Sequence, residues 1–475
     1  MTLIYIFCAL LICIGLSFNR NKIIQNVLVV FFLMVQWGFT IFACFQYNST
    51  DSEYFTFDSL GILLLLTLSI IAVPALMHSS IYLKKRNESG HLSATYYAAI
   101  IGLIAAIGCG YLANHIAVTW IFTEITTLCA SILIYHHRNK LALEATWKYV
   151  FICAISVTFI FIGILFLSLS LTHAGSDDLS FKNLVAHSDK LNPYWLRLAF
   201  LFIFTGFTAK LGLVPMFTAG IDAKDKAPAP ASALLASVLM NLGFVGIFRF
   251  YVVVANTSIS SWANLVIGIA AFLTLFVATV YMVKVKNLKR MFAYSGIEHM
   301  GLVMLGIAAG GIGYYAAILH IVLHAFVKSS LFFQYSQIYR IFRTKNIYQI
   351  GNYFKYNTTG AMVLLLGFFS AAAMPPSGLF VSEFLIFRSI FETHQLVLLI
   401  AVLILLTMII WAFGKNVFKI LFIPVVDFDE SNVPKIRSWE SVSQFLLLAF
   451  SAYLGLNPPA EFVQLINDSI ILLPK

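Results

Sequence analysis

Runs of roughly twenty apolar residues, nearly free of charge, recur from one end of this chain to the other, and a run of that length crosses the hydrocarbon core of a bilayer as a helix. Fourteen such spans are expected, at approximately 2–18, 23–45, 57–83, 93–113, 115–136, 145–172, 195–219, 229–254, 260–284, 290–309, 311–338, 358–390, 395–423 and 439–457. The runs are continuous and do not alternate, which excludes a membrane β-barrel. With 60% hydrophobic and 11% charged residues, the composition also excludes a soluble globular protein. The expected fold is therefore an all-α polytopic membrane protein. Residues 1–18 lack the basic start and small-residue cleavage site of a signal peptide, so they are read as the first span.

The loops carry the orientation. One set holds nineteen lysines and arginines, among them Lys84, Lys85, Arg86, Lys284, Lys286 and Arg343; the other holds Lys182, Lys190 and Lys475. Cytoplasmic loops are the positive ones, so both termini are expected outside the cytoplasmic membrane. The net charge of +10 then belongs to loops facing anionic lipid, and nucleic acid is not needed to explain it. The longest loop, 173–194, has room for one short surface helix, and 427–439 is the other linker.

Ionisable residues within the spans are the exception that needs a reason. Lys210 lies about fifteen residues into its span and Glu124 near the middle of another. A charge at mid-depth costs about 2.5–3.5 kcal/mol on insertion scales, so such groups face protein or a hydrated path. Pro215 and Gly220 follow Lys210, and a proline frees backbone carbonyls one turn earlier. Broken helices belong where protein or water covers the freed groups. Lys210 thus has acceptors nearby, and Glu124 is its expected partner. A static ion pair is the competing reading, although hydrophobic residues often serve stability as well.

Glu298 and His299 lie in the tenth span, and His320, His324 and Lys328 follow in the eleventh at i, i+4 and i+8. That spacing places the last three on one helix face, where imidazoles can pass protons. His320 and His324 have no Asp, Glu or Cys on the same face, which argues against a metal centre there. Glu383 follows Pro375 and Pro376, repeating the pattern of a helix break beside an ionisable group. Breaks in spans seven and twelve are five spans apart. They suggest two inverted five-helix repeats, a recurrent transporter plan. The expected organisation is an N-terminal three-helix segment at 1–92, repeats at 93–254 and 255–423, and a C-terminal loop and final helix at 424–475. Lys415 either joins the route or, with Lys419, snorkels to the surface. Glu144 and Lys148 read as a local helix pair. The six cysteines contain no Cys-x-x-Cys pair and read as small hydrophobes.

These residues resemble the antiporter-like membrane subunits of respiratory complex I, membrane-bound hydrogenases and multisubunit cation/proton antiporters, most of all the hydrogenase-4 component F type. The resemblance rests on 120–128 around Glu124, Glu144-Ala-Thr-Trp-Lys-Tyr149, Lys210-Leu-Gly-Leu-Val-Pro-Met216 and 227–235. It continues through 287–301, His320-x-x-x-His324 with Lys328, and 376–384. It implies that Glu124 and Lys210 form a coupling pair in a first half-channel. It further implies that His299, His324 and Lys328 lie on a central hydrophilic axis, and that Glu383 exchanges protons with the outside.

The implied function is proton translocation within a larger complex, driven by a redox or catalytic module on partner subunits, with no cofactor or metal held by this chain. Independent sodium/proton exchange, a membrane subunit of an inorganic-carbon uptake complex and a non-pumping anchor are the alternatives. The sequence departs from the family pattern after Met216. A histidine is replaced by Phe217, Trp-Leu-Pro by Ala219-Gly220-Ile221, and a second histidine by Lys224. Asn241 stands where complex I subunits carry a lysine, as in the hydrogenase type.

Overall fold

The computed structural model describes residues 1–172, 175–425, 428, 430 and 433–474. His173 and Asp427, which open the two expected loops, and Lys475 lie outside them. Among the described residues, eleven helices are long and apolar enough to cross a membrane. Thr2–Phe18 and Thr358–Ala371 are shorter apolar helices. The fold is that of an all-α polytopic membrane protein. A small antiparallel pair, Thr50–Ser52 with Phe55–Thr56, and the surface helix Phe181–Ala186 sit in the connections.

Three of the expected spans are interrupted, each for a local reason. Helix Pro193–Leu211 stops at Gly212, whose left-handed φ of 89° suits a residue without Cβ and whose N–H donates to Thr208 O at 2.7 Å. Pro215 cannot continue the ladder, and the short helix Thr218–Lys226 follows beyond the apolar run. In the twelfth, Thr358–Ala371 ends before Pro375 and Pro376, and Ser377 caps Gly378–Glu392 by accepting from Phe380 N at 3.3 Å. The third break divides Ala229–Ala236 from Val238–Ala255 at Ser237. No proline or glycine marks it. The Ser237 hydroxyl donates to Ala233 O at 2.7 Å, a back-bond that loosens a helix.

The described residues fall into two compact units, Met1–Ala231 with Val238–Val266 and Glu461–Lys475, and Ser232–Ser237 with Ile267–Ala460. In the first, Lys140–Thr172 lies along Pro193–Leu211. Glycines make that approach close: a Cβ on Gly206 would stand 2.7 Å from Ser156 O, and one on Gly163 would stand 2.9 Å from Ile203 N. Small residues at such crossings let helix backbones meet in lipid. In the second unit Ile312–Phe342 is the central helix, buried along its spanning window. Leu288–Ala309, Thr358–Ala371, Gly378–Glu392 and Val442–Leu456 surround it.

Candidate functional site

In the first unit the close helix pair brings Tyr149 to Lys210. The buried Lys210 ammonium donates to Thr127 Oγ1 at 2.7 Å and to Tyr149 OH at 3.2 Å, and it lies 5.4 Å from the Tyr149 ring centre. The expected Glu124–Lys210 contact is not made. Among the described residues no hydrogen bond or ion pair joins them, and Glu124 Oε2 is buried without a hydrogen-bond partner. The reason is geometric. Thr127 follows Glu124 by three residues on the same face of Ile116–Ile134, and its hydroxyl takes the lysine.

Lys224, one of the positive charges in the cytoplasmic loops by sequence, is only 2% exposed, with its ammonium 3.2 Å from Met240 Sδ. Burial pushes it down from the usual lysine range to about 7. Asn241 is fully buried, and among the described residues neither polar atom of its amide has a hydrogen-bond partner. Arg249 escaped the sequence reading although it lies inside an apolar run. It pairs with Asp58 at 2.7 Å and donates to Tyr111 O at 2.7 Å and to Ala113 O. Both line a cavity of 590 Å³ in the same unit, with Asn114, Lys182 and Asp468.

The second unit gathers three helices around one cluster. His320 Nε2 lies 3.1 Å from His299 Nδ1, and His299 Nδ1 lies 3.4 Å from Glu383 Oε1. The ring of His324 is 5.2 Å from that of His299. Lys328 donates to Ser295 Oγ at 2.6 Å, and Glu298 Oε2 lies 3.7 Å from His299 Nε2. All of these residues are buried. The helical spacing predicts only that His320, His324 and Lys328 share a face. The carboxylate that face lacks arrives from Gly378–Glu392, oriented by the double-proline break. Ser382 accompanies it, 3.0 Å from His320 Nδ1.

Lys415 is not brought into the cluster. It is exposed on Leu396–Phe422 with its ammonium 5.2 Å from the Trp411 ring centre. Trp411 and Lys415 are one turn apart, so the ammonium lies over the indole on the exposed side of the helix. Thr127, Tyr149, Ser295 and Ser382 were missed as partners because a hydroxyl in an apolar run resembles an ordinary helix residue until a charge is placed beside it.

Buried acids, imidazoles and lysines beside helix breaks, within a bundle of membrane-spanning helices, define an ion-translocating class of membrane protein. The chain belongs to the NADH:quinone oxidoreductase/Mrp antiporter transmembrane family, whose model matches residues 113–409. It is 26% identical to the hydrogenase-4 component F homolog of Methylacidiphilum infernorum, over 99% of this chain and 98% of that one. Its fold matches a chain of the archaeal membrane-bound sulfane sulfur reductase with a TM-score of 0.86 at 18% identity, covering 99% of this chain and 97% of that one. It also matches a chain of the Mrp complex from Dietzia sp. with a TM-score of 0.84 at 14% identity, covering 99% and 96%. The chain is an antiporter-like membrane subunit of the complex I, hydrogenase and Mrp type, a type built into multi-subunit membrane complexes.

Proposed function

We propose that this chain moves protons across the membrane within such a complex, driven by a reaction on partner subunits. The observation that carries the reading is the contact series His320–His299–Glu383, in which two imidazoles and a carboxylate stand within proton-transfer reach inside a buried cluster. Both contacts meet at His299 Nδ1, so that nitrogen can take a proton from His320 Nε2 and give it up to Glu383 Oε1. Lys328 and Glu298 set the local field on that series. In the first unit Lys210 is the acid–base group. Thr127 and Tyr149 hold its ammonium, and Glu124 lies one helical turn from Thr127.

Lys224 replaces the family's histidine at the cytoplasmic end of the first unit. With its proton affinity brought close to neutrality by burial, it can accept and release protons there. Glu383 is the group that exchanges protons with the outside. We place the protein in the cytoplasmic membrane as fourteen spans, with both termini outside and two inverted five-helix repeats at 93–254 and 255–423. The asymmetry of the loop charges and the recurrence of broken helices support that arrangement. The chemistry that drives transport resides on a peripheral redox or catalytic module.

The test is proton uptake by vesicles containing the assembled complex. Lys210→Met and Glu383→Gln should each abolish uptake while subunit composition stays intact. Uptake that survives both substitutions in an intact complex overturns the route and favours a membrane anchor. Ion exchange by the isolated chain in liposomes would favour an independent antiporter.

A further inference from the structure

The atoms that make the cluster suitable for protons also meet the geometric demands of a transition-metal site. A zinc-class ion held at about 2.0–2.1 Å places tetrahedral ligand atoms about 3.3 Å apart. His299 Nδ1 is 3.1 Å from His320 Nε2 and 3.4 Å from Glu383 Oε1. One donor atom from each of the three residues lies within 4.8 Å of the others. The site therefore needs adjustments of a few tenths of an ångström along two edges and closure of the third. Two imidazole nitrogens and one carboxylate oxygen form a donor set that suits zinc or cobalt(II) better than magnesium or calcium.

The surroundings are those of a supported metal centre. Ligating histidines generally offer their second nitrogen to an oxygen acceptor, which holds the ring in place. His320 Nδ1 lies 3.0 Å from Ser382 Oγ. His299 Nε2 lies 3.7 Å from Glu298 Oε2. Two carboxylates, Glu383 and Glu298, bring negative charge to this buried place, set against the Lys328 ammonium of the same cluster. Glu383 is also the most accessible of the three ligands, its side chain 10% exposed.

We propose that His299, His320 and Glu383 form a binding site for one divalent transition-metal ion of the zinc or cobalt(II) class. An ion there takes the lone pairs that a travelling proton would use. Binding does not depend on whether protons travel, so it is read by spectroscopy and stands or falls separately from transport.

The full-length chain, stripped of metal and held in lipid nanodiscs, is titrated with cobalt(II). The expected result is one tight equivalent with the visible absorption of a four- or five-coordinate site, and X-ray absorption showing imidazole scattering. His320→Gln and Glu383→Gln should each weaken binding about tenfold or more, while His115→Gln leaves it unchanged. Absence of a stoichiometric site in the unaltered chain overturns the proposal. So does bound cobalt without imidazole scattering, or an affinity that both variants retain. The measurements on the unaltered chain decide the matter even if a variant fails to fold.

Discussion

A lysine ammonium inside a helical bundle needs acceptors, and at Lys210 two hydroxyls supply them. A hydrogen bond to a charged group is worth about 1.5–3 kcal/mol. Thr127→Val should therefore lower stability by about that amount, measured by thermal unfolding of the solubilised chain, and should slow proton uptake. Tyr149→Phe should cost less, because its contact is the longer one. Lys224 yields a prediction with a sign. Its folded-state proton affinity is depressed, to about 7, so the cost of burying its charge is present in full below that pH. The cost is relieved as pH rises toward the ordinary lysine value of about 10.4. Lys224→Met should consequently be more stable than the unaltered chain at pH 6, by several degrees in melting temperature, and the difference should shrink by pH 9. A constant difference would mean that the lysine keeps its ordinary proton affinity. Lys210 and Glu383 were legible because a charge in an apolar run has to be explained. Their partners were not, since Thr127 and Tyr149 lie 83 and 61 residues from Lys210 along the chain.

Helix ends and close crossings decide where those side chains point. Prolines announced the breaks after Lys210 and before Glu383. The break at Ser237 had no such mark, because a serine hydroxyl competes for the i−4 carbonyl in some helices and leaves others straight. The crossing of Lys140–Thr172 with Pro193–Leu211 holds Tyr149 against Lys210. Gly206→Ala would force a methyl to within 2.7 Å of Ser156 O and 3.0 Å of Ile160 N. Relieving that overlap should cost about 1–3 kcal/mol. Because the pair must separate, proton uptake should fall along with the melting temperature. A variant with unchanged melting temperature would show that the crossing is not tightly packed.

For the whole molecule, the distribution of lysine and arginine implies an orientation that can be measured directly. In a background from which the six native cysteines have been replaced, Arg343→Cys should react with an impermeant thiol reagent only from the cytoplasmic side. Lys182→Cys should react only from the outside. The opposite labelling would invert the proposed orientation, with both termini on the cytoplasmic side.

Hydrophobic run length, the charge asymmetry of the loops and the cost of a buried ion act locally along the chain. Class, approximate spans and the presence of ionisable residues within them, Glu124, Lys210, His299, His320, His324, Lys328 and Glu383, could therefore be read from sequence. Which of them touch depends on helix rotation and crossing, set by packing between residues far apart in the chain. Only the tertiary structure put Thr127 rather than Glu124 against Lys210, turned Lys415 outward and buried Lys224. It also carried Glu383 to two histidines on other helices, supplying the carboxylate that the His320–His324 helix face lacks.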